Sequence, residues 1–349
     1  MAARKSLFVL YLVAASVGIL LALELVCMRL NAARGVVLPF AIRASGDPLH
    51  HQVANRFSVL DPHLGYAHGE DEESVRALGD TWVNGFVVYR DRPGPLVHPV
   101  ILALGGSTTD GAGADPSWPE ELARLLKDRG IAGTVVNGGT GGYSTNQELL
   151  KLIRDGLEFR PDIVISYSGV NDRGEYGELP YPMVHAYQRQ VLAHLTEGAP
   201  SRLLPNAVAW LRREVLPHPK HRVTSTLGVA SSSTLGEQYE RNLVLMEAVA
   251  RARGAAFFGF IQPNAYFRSR HQGKPGEAKS PAYVASLQAL YAEIIDLPER
   301  LPFVRDFTGI FEPHDDVYRG DGIHTTPKGD AVIAREILDV IGDELNRRS

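Results

Sequence analysis

Four short segments of the chain contain residues that together could carry out acyl transfer. The first is GGSTT (residues 105–109), which directly follows the apolar run Val100–Leu104. The others are the glycine-rich stretch Asn137–Ser144, the segment Ser168–Asp172 and, near the C-terminus, Arg319–His324. They supply a serine, a histidine, an aspartate and an asparagine among many glycines, which are the residue types of a nucleophilic serine and its supporting groups.

Ser107 is the candidate nucleophile. A serine hydroxyl attacks a carbonyl group only when a base takes its proton, and a histidine, with an unperturbed pKa of about 6.5, is the usual base. His324 follows Asp321 by three residues, a spacing that places both side chains on one side of a tight turn. The oxygen that becomes negative during attack needs preorganised donors. The candidates are the backbone N–H groups of Ser107 and Gly142 and the side-chain amide of Asn171.

Each segment also has a simpler interpretation. The sequence GGST is a turn in most proteins, and Asn171 could cap a turn. The stretch Gly139-x-Gly141-x-x-Ser144 partly resembles a dinucleotide-binding loop, although its last position is neither glycine nor alanine. Asp110 and Asp172 adjoin the segments and are interpreted as capping and turn residues. The occurrence of all four segments in one chain, at the ends of predicted strands, favours catalysis.

Alternating strands and helices must position these segments. From Pro99 onward the pattern predicts a mostly parallel sheet that is covered by helices on both faces. The predicted strands are Val100–Leu104, Gly133–Asn137, Asp162–Tyr167, Ala255–Ile261 and Phe303–Phe307. The predicted helices are Pro119–Lys127, Asn146–Phe159, Gly236–Arg253, Pro281–Ile295 and Lys328–Asn346. Because ligands bind beyond the carboxyl ends of the strands in an open parallel sheet, the four segments are expected to meet there.

The N-terminus predicts a single-pass membrane anchor. Residues Leu7–Met28 are apolar apart from Glu24, and a span of about 20 such residues crosses a bilayer. A cleaved signal peptide is the alternative, but the nearest cleavage candidate, Asn31-Ala32-Ala33, lacks a small residue at its first position. Charge leaves the orientation open, because basic residues lie on both sides of the span: Arg4, Lys5, Arg29 and Arg34.

Three regions are therefore predicted: an anchor at 1–30, a stalk with a small extension at 31–95, and the main domain at 96–349. An irregular insertion at about 199–234 is interpreted as a surface insertion, with a mobile lid or a membrane contact as alternatives. The net charge of -4 gives no reason to expect a nucleic-acid partner. Since Cys27 is the one cysteine and the histidines lack HExxH-type spacing, no disulfide, metal or cofactor is predicted.

The sequence resembles the SGNH hydrolases, also called GDSL esterases and lipases, from Pro99 to the C-terminus apart from the insertion. The resemblance lies in the motifs GGSTTDG, NGGTGGYST, GVND and DGIHTTPKGD. It implies a three-layer α/β/α sandwich with a parallel five-stranded sheet in the order 2-1-3-4-5. It implies that Ser107 is the nucleophile and that Asp321 and His324 complete a catalytic triad. It also implies that the oxyanion hole is formed by Ser107, Gly142 and Asn171.

One position departs from the family pattern. The eponymous Gly-Asp-Ser-Leu has aspartate where this chain has Gly106, which leaves the triad complete and the substrate preference open. The motif GGSTT, together with DPHLGY (61–66), VNGF (83–86) and FIQPNAY (260–266), resembles a membrane-anchored bacterial branch of the family. Those members mostly face the periplasm or the cell exterior, so the catalytic domain is expected outside.

The resemblance implies a serine esterase that works through an acyl-enzyme and has no cofactor. Its expected partners are an ester-containing small molecule or an acylated glycan and, through the N-terminal helix, the membrane. Two alternatives stay open. A sugar hydroxyl could replace water, which would make the protein an O-acyltransferase on glycans, or the domain could be a non-catalytic glycan-binding or scaffold module on a hydrolase fold.

Overall fold

The computed structural model describes residues 2–33, 58–61, 63–68, 81–83, 85–90, 94–111, 116–173, 204–214, 234–271, 274 and 277–348. The chain divides into two compact units. The larger unit comprises Phe57–Gln188 and Gly228–Ser349, and the smaller comprises Met1–Arg56 and Arg189–Leu227. Most of the predicted stalk and extension (31–95) and most of the predicted insertion (199–234) lie outside the described residues.

The described elements follow the predicted alternation. The strands are β1 (Ser58–Asp61), β2 (Gly65–His68), β3 (Thr81–Val83), β4 (Phe86–Tyr89), β5 (Val100–Gly105), β6 (Thr134–Asn137), β7 (Ile163–Ser168), β8 (Ala256–Ile261) and β9 (Val304–Asp306). The helices are α1 (Ala2–Ala33), α2 (Ser107–Asp110), α3 (Trp118–Asp128), α4 (Thr145–Arg154), α5 (Pro205–Glu214), α6 (Leu235–Ala252), α7 (Pro281–Ile294), α8 (Leu297–Arg300) and α9 (Pro327–Arg348). The helix predicted over Asn146–Phe159 is α4 followed by a 3-10 turn at Gly156–Phe159.

The larger unit is built on a sheet in the order β3-β4-β6-β5-β7-β8-β9. Strands β5 to β9 are mutually parallel, and in chain order they lie second, first, third, fourth and fifth. Strands β3 and β4 form an antiparallel hairpin that pairs with β6. The sheet is therefore mixed and has two strands more than the five that were predicted. The strand order reverses beside β5, which is where an open α/β sheet binds its ligands.

Helices cover both faces of this sheet because its central strands are apolar on both faces. In β5, Val100, Leu102 and Leu104 belong to a core cluster that includes side chains of α4, α6 and α7, whereas Ile101 and Ala103 belong to a second cluster with side chains of α3 and α9. All five side chains are fully buried. Burial of a side chain as large as leucine contributes about 1.5 to 3 kcal/mol to folding. The result is a three-layer α/β/α fold whose central strand β5 ends directly before Ser107.

The smaller unit contains α1 and α5. From Tyr11 to Leu30, α1 has a mean hydropathy of 2.2 and is almost wholly exposed, so its length and composition suit a membrane span. Glu24 is the one acid in this stretch, and its carboxylate accepts hydrogen bonds from the backbone N–H groups of Asn206 (2.7 Å) and Ala207 (2.9 Å). The described part of the predicted insertion is thus a helix whose first turn is capped by the apolar N-terminal helix.

Candidate active site

The four segments singled out in the sequence meet at the carboxyl end of β5. Ser107 is the first residue of the short helix α2, and two glycines separate it from the buried body of the strand. A Cβ on Gly105 would lie 2.8 Å from the carbonyl oxygen of Tyr167, and a Cβ on Gly106 would overlap the side-chain amide of Asn171. The glycines therefore allow the ends of β5 and β7 to approach each other closely, with the serine at their tip.

The structure brings Ser107, His324 and Asp321 together in one hydrogen-bonded series. Nε2 of His324 lies 2.9 Å from Oγ of Ser107, and Nδ1 of His324 lies 2.7 Å from Oδ2 of Asp321. The other carboxylate oxygen of Asp321 accepts the backbone N–H groups of Ile323 and His324, each at 3.0 Å. The turn that carries the histidine is thus closed by the same carboxylate that contacts its ring.

Asp321 remains ionised at neutral pH. Burial by itself would raise its pKa, but the hydrogen bond and charge of His324, together with the two backbone N–H groups, lower that pKa well below its usual range. An ionised carboxylate accepts a hydrogen bond from the Nδ1–H of the imidazole, which leaves the Nε2 lone pair directed at the hydroxyl of Ser107. The geometry therefore holds His324 in the tautomer that can act as a base.

Asn171 and Gly142 lie on two loops beside the serine. Asn171 belongs to the 3-10 turn Val170–Asp172 that follows β7, and its Nδ2 donates to the carbonyl oxygen of Tyr143 at 2.9 Å. Gly142, with a φ of 81°, precedes Tyr143 in the glycine-rich stretch. The Asn171 amide thus joins the glycine-rich loop, where Gly142 lies, to the tip of β5, since it also contacts Gly106.

Asp110 connects more of the site than its interpretation as a turn residue suggested. Its Oδ1 lies 2.8 Å from Nε2 of His68 in β2, and its Oδ2 accepts the backbone N–H of Gly141 at 3.1 Å. Nearby, the amide of Asn137 donates to the carbonyl oxygen of Thr109 at 2.8 Å. Helix α2, which begins with Ser107, is therefore tied both to the glycine-rich loop and to β2, which pairs antiparallel with β1.

A buried acidic pair supports the loop that carries Asn171. Glu148 of α4 is fully buried and is hydrogen-bonded to the hydroxyl of Ser168, while Asp172 accepts the backbone N–H of Thr145 at 3.0 Å. Burial and the nearby charge of Asp172 raise the pKa of Glu148 to about 8, and burial raises the pKa of Asp172 to about 6. Glu148 is therefore mostly protonated at pH 7, which avoids two adjacent buried charges beneath the site.

The sequence analysis did not identify Lys279, whose side chain contacts Asp321. Nζ of Lys279 lies 3.2 Å from Oδ2 of Asp321. No spacing rule could have found it, because the two residues are far apart in the chain and only tertiary packing brings them together. Over the described ranges, no group of three or more histidine, cysteine, aspartate or glutamate side chains is placed to hold a metal ion.

A serine, a histidine and an aspartate linked in this order are the arrangement of serine hydrolases. Residues 103–332 match the GDSL-like lipase/acylhydrolase family. Because this match covers more than half of the chain, the protein belongs to that family, and it is a hydrolase that acts on esters. No curated protein sequence matches the chain.

Several solved structures are similar to this chain in fold, although their sequence identity to it is low. The lipase/acylhydrolase from Enterococcus faecalis is 17% identical with a TM-score of 0.42, and the alignment covers 72% of this chain and 97% of that one. TesA is 18% identical with a TM-score of 0.40, covering 70% and 99%. A catalytic mutant of the acetylxylan esterase Axe2 from Geobacillus stearothermophilus is 14% identical with a TM-score of 0.42, covering 70% and 94%. At this level of similarity the comparisons carry no information about the substrate.

Proposed function

We propose that this ester hydrolase is a serine esterase that forms an acyl-enzyme at Ser107. The observation that carries the proposal is the pair of hydrogen bonds on His324, one to Ser107 Oγ at 2.9 Å and one to Asp321 Oδ2 at 2.7 Å. This spacing allows direct transfer of the serine proton to the imidazole. The depressed pKa of Asp321 supports the proposal further, because an ionised aspartate stabilises the imidazolium that forms.

In the first half of the proposed reaction, the oxygen of Ser107 attacks the carbonyl carbon of the ester while Nε2 of His324 takes the serine proton. The negative charge that develops on the carbonyl oxygen is stabilised by the backbone N–H groups of Ser107 and Gly142 and by the amide of Asn171. The imidazolium of His324 then gives its proton to the departing alcohol oxygen as the ester bond breaks. The acyl group remains on Ser107.

In the second half, water attacks the acyl-enzyme and His324 takes a proton from that water. Collapse of the second tetrahedral intermediate returns the proton to Ser107 and releases the carboxylic acid. We propose an O-acyl or other carboxylic ester as the substrate, either a small molecule or an acylated surface glycan. A sugar hydroxyl entering in place of water would give acyl transfer by the same steps.

Labelling with a fluorophosphonate probe tests this proposal. We expect one phosphonylated residue per full-length chain, Ser107, together with hydrolysis of p-nitrophenyl esters. Ser107→Ala should lose both labelling and turnover. The control Ser286→Ala alters a hydroxyl that donates to the Tyr283 carbonyl oxygen within its own helix, and it should behave like the wild type. Unchanged labelling of the Ser107→Ala protein would refute the assignment of the nucleophile.

We also propose that residues 1–30 anchor the protein in a membrane, with the catalytic domain on the periplasmic or extracellular side. The support is the length and hydropathy of α1 between Tyr11 and Leu30. We expect the full-length chain to stay in the membrane fraction after a wash at high pH, and to be digested by protease added to spheroplasts rather than only after lysis. A mature chain that begins near Arg34 would show instead that the helix is a cleaved signal peptide.

A further inference from the structure

We infer that Lys279 is a positioning residue for Asp321 and that its charge sets the lower limit of the pH range in which the site works. The inference rests on the proposed serine-esterase mechanism. It concerns a residue outside the four segments that the sequence brought to attention.

The ammonium group of Lys279 and the imidazole of His324 contact the same carboxylate oxygen of Asp321. Nζ of Lys279 lies 3.2 Å from Oδ2 of Asp321, and Nδ1 of His324 lies 2.7 Å from the same oxygen. The side chains of Lys279 and Asp321 are each only 20% exposed. Two cationic or potentially cationic groups therefore meet at one carboxylate oxygen in a partly buried place, where solvent screens their interaction less than at an open surface.

The backbone of Lys279 is fixed to the same turn as its side chain. The N–H of Lys279 donates to the phenol oxygen of Tyr266 at 2.9 Å, and that phenol donates to the carbonyl oxygen of Asp321 at 2.7 Å. The N–H of Ala265 also donates to the carbonyl oxygen of Gly322 at 2.9 Å. Lys279 thus contacts Asp321 directly through its side chain and, through Tyr266, from its backbone. The backbone that carries the ammonium group is therefore anchored to the turn that the group contacts.

Other ionisable groups lie on the elements around this turn, and they are unchanged by a substitution at Lys279. Besides His324 and Asp321, they include Tyr266 and also Glu277, whose carboxylate lies beside Gly320. Tyr283 and Arg173 lie on the side of α7, and Arg319 and Asp330 contact the residues that follow His324. Asp330 needs particular care, because burial raises its pKa to about 7. Its titration is common to the wild type and the variants, so a difference between their pH profiles reports on Lys279.

The sign of the effect follows from Coulomb's law. A positive charge beside Asp321 opposes the formation of a second positive charge on the neighbouring imidazole. We therefore expect the lysine charge to extend activity to lower pH. Without that charge, the acid limb of the kcat/KM profile should move upward.

The experiment compares kcat/KM for p-nitrophenyl acetate from about pH 5 to 9 in the full-length wild type, Lys279→Met and Lys279→Arg. In Lys279→Met we expect the midpoint of the acid limb to rise by about half a pH unit or more. The expected shift is modest because the side chains of Lys279 and Asp321 are partly exposed to solvent. Lys279→Arg keeps the charge and should restore the wild-type midpoint. The control Lys328→Met removes an exposed lysine four residues from His324 and should leave the midpoint unchanged.

An unshifted midpoint in Lys279→Met would overturn the inference, and so would an equal shift in Lys328→Met, which would indicate a general charge effect. Lys279→Gln, which keeps a polar side chain, provides a second neutral variant in case the methionine variant does not fold. Melting curves identify the folded variants. Failure of the proposed function looks different, because the wild type itself would then show neither ester turnover nor labelling of Ser107.

Discussion

Replacing His324 with alanine is expected to lower kcat by about 10⁴ to 10⁶ while KM changes little. The hydroxyl of Ser107 is a poor nucleophile without a base, and Nε2 of His324 is the basic atom 2.9 Å from it. In the proposed mechanism the same histidine also protonates the departing alcohol, so one substitution removes two proton transfers. Labelling of Ser107 by a fluorophosphonate should fall in parallel, because that reaction begins with the same activation of the serine.

A matched histidine distinguishes this effect from general damage to the C-terminal region. His314 lies ten residues earlier, and its backbone N–H donates to the carbonyl oxygen of Phe311. His314→Ala should therefore retain wild-type turnover. If His324→Ala kept its rate within about tenfold, the base would be another group. Among the described residues near the site, His68 is another histidine, and its Nε2 is hydrogen-bonded to Asp110.

The sheet and its covering helices could be predicted because their signals are local. The central parallel strands β5, β7 and β8 are mostly apolar runs, and the five parallel strands begin and end within two residues of the predicted limits. Several helices also begin at residues that cap them. Ser144 and Thr234 each form a capping box with the side chain three residues later, and Ser280 accepts the N–H of Tyr283.

The hairpin β3–β4 was missed as part of the sheet, although it has a local signal. Asn84-Gly85 stands between two short runs of aromatic and β-branched residues, and the register pairs Val83 with Phe86 across it. Strands of three and four residues give weak periodicity, and the turn sequence does not indicate that β4 also pairs with β6. Pairing of β4 with β6 depends on a contact between segments about 50 residues apart, which no short window of sequence contains.

The same distinction applies to the site. Ser107 is marked by the glycines after an apolar strand, and Asp321 and His324 by a spacing of three residues, so these could be chosen from the sequence. The contacts of Asp110 with His68 and of Lys279 with Asp321 join residues 42 positions apart in each case. Their geometry depends on how loops fold over the sheet, and single lysines and histidines carry no spacing that would reveal it.

Asn171→Ala is expected to lower kcat by about 10² to 10³, or roughly 2.7 to 4 kcal/mol, with KM within a few-fold of the wild type. The amide is held by the carbonyl oxygen of Tyr143 at 2.9 Å, which leaves its second N–H hydrogen to stabilise the oxygen that becomes negative in the transition state. Loss of that donor affects the transition state far more than the bound ester, because the charge develops only as Ser107 attacks.

The alternative is that Asn171 only caps the turn after β7. A cap acts on folding, and its replacement by alanine costs about 0.5 to 2 kcal/mol of stability without changing the rate of the folded molecules. Melting curves and active-site titration therefore have to accompany the kinetics.

Asn171→Asp adds a sharper comparison, because the carboxylate keeps the shape of the side chain but replaces the donor with a negative charge. If Asn171 is an oxyanion donor, Asn171→Asp should be at least as slow as Asn171→Ala per folded molecule, and phosphonylation of Ser107 should slow in both. Wild-type turnover per folded molecule in Asn171→Ala would mean that the residue is a cap and that the oxyanion is stabilised elsewhere.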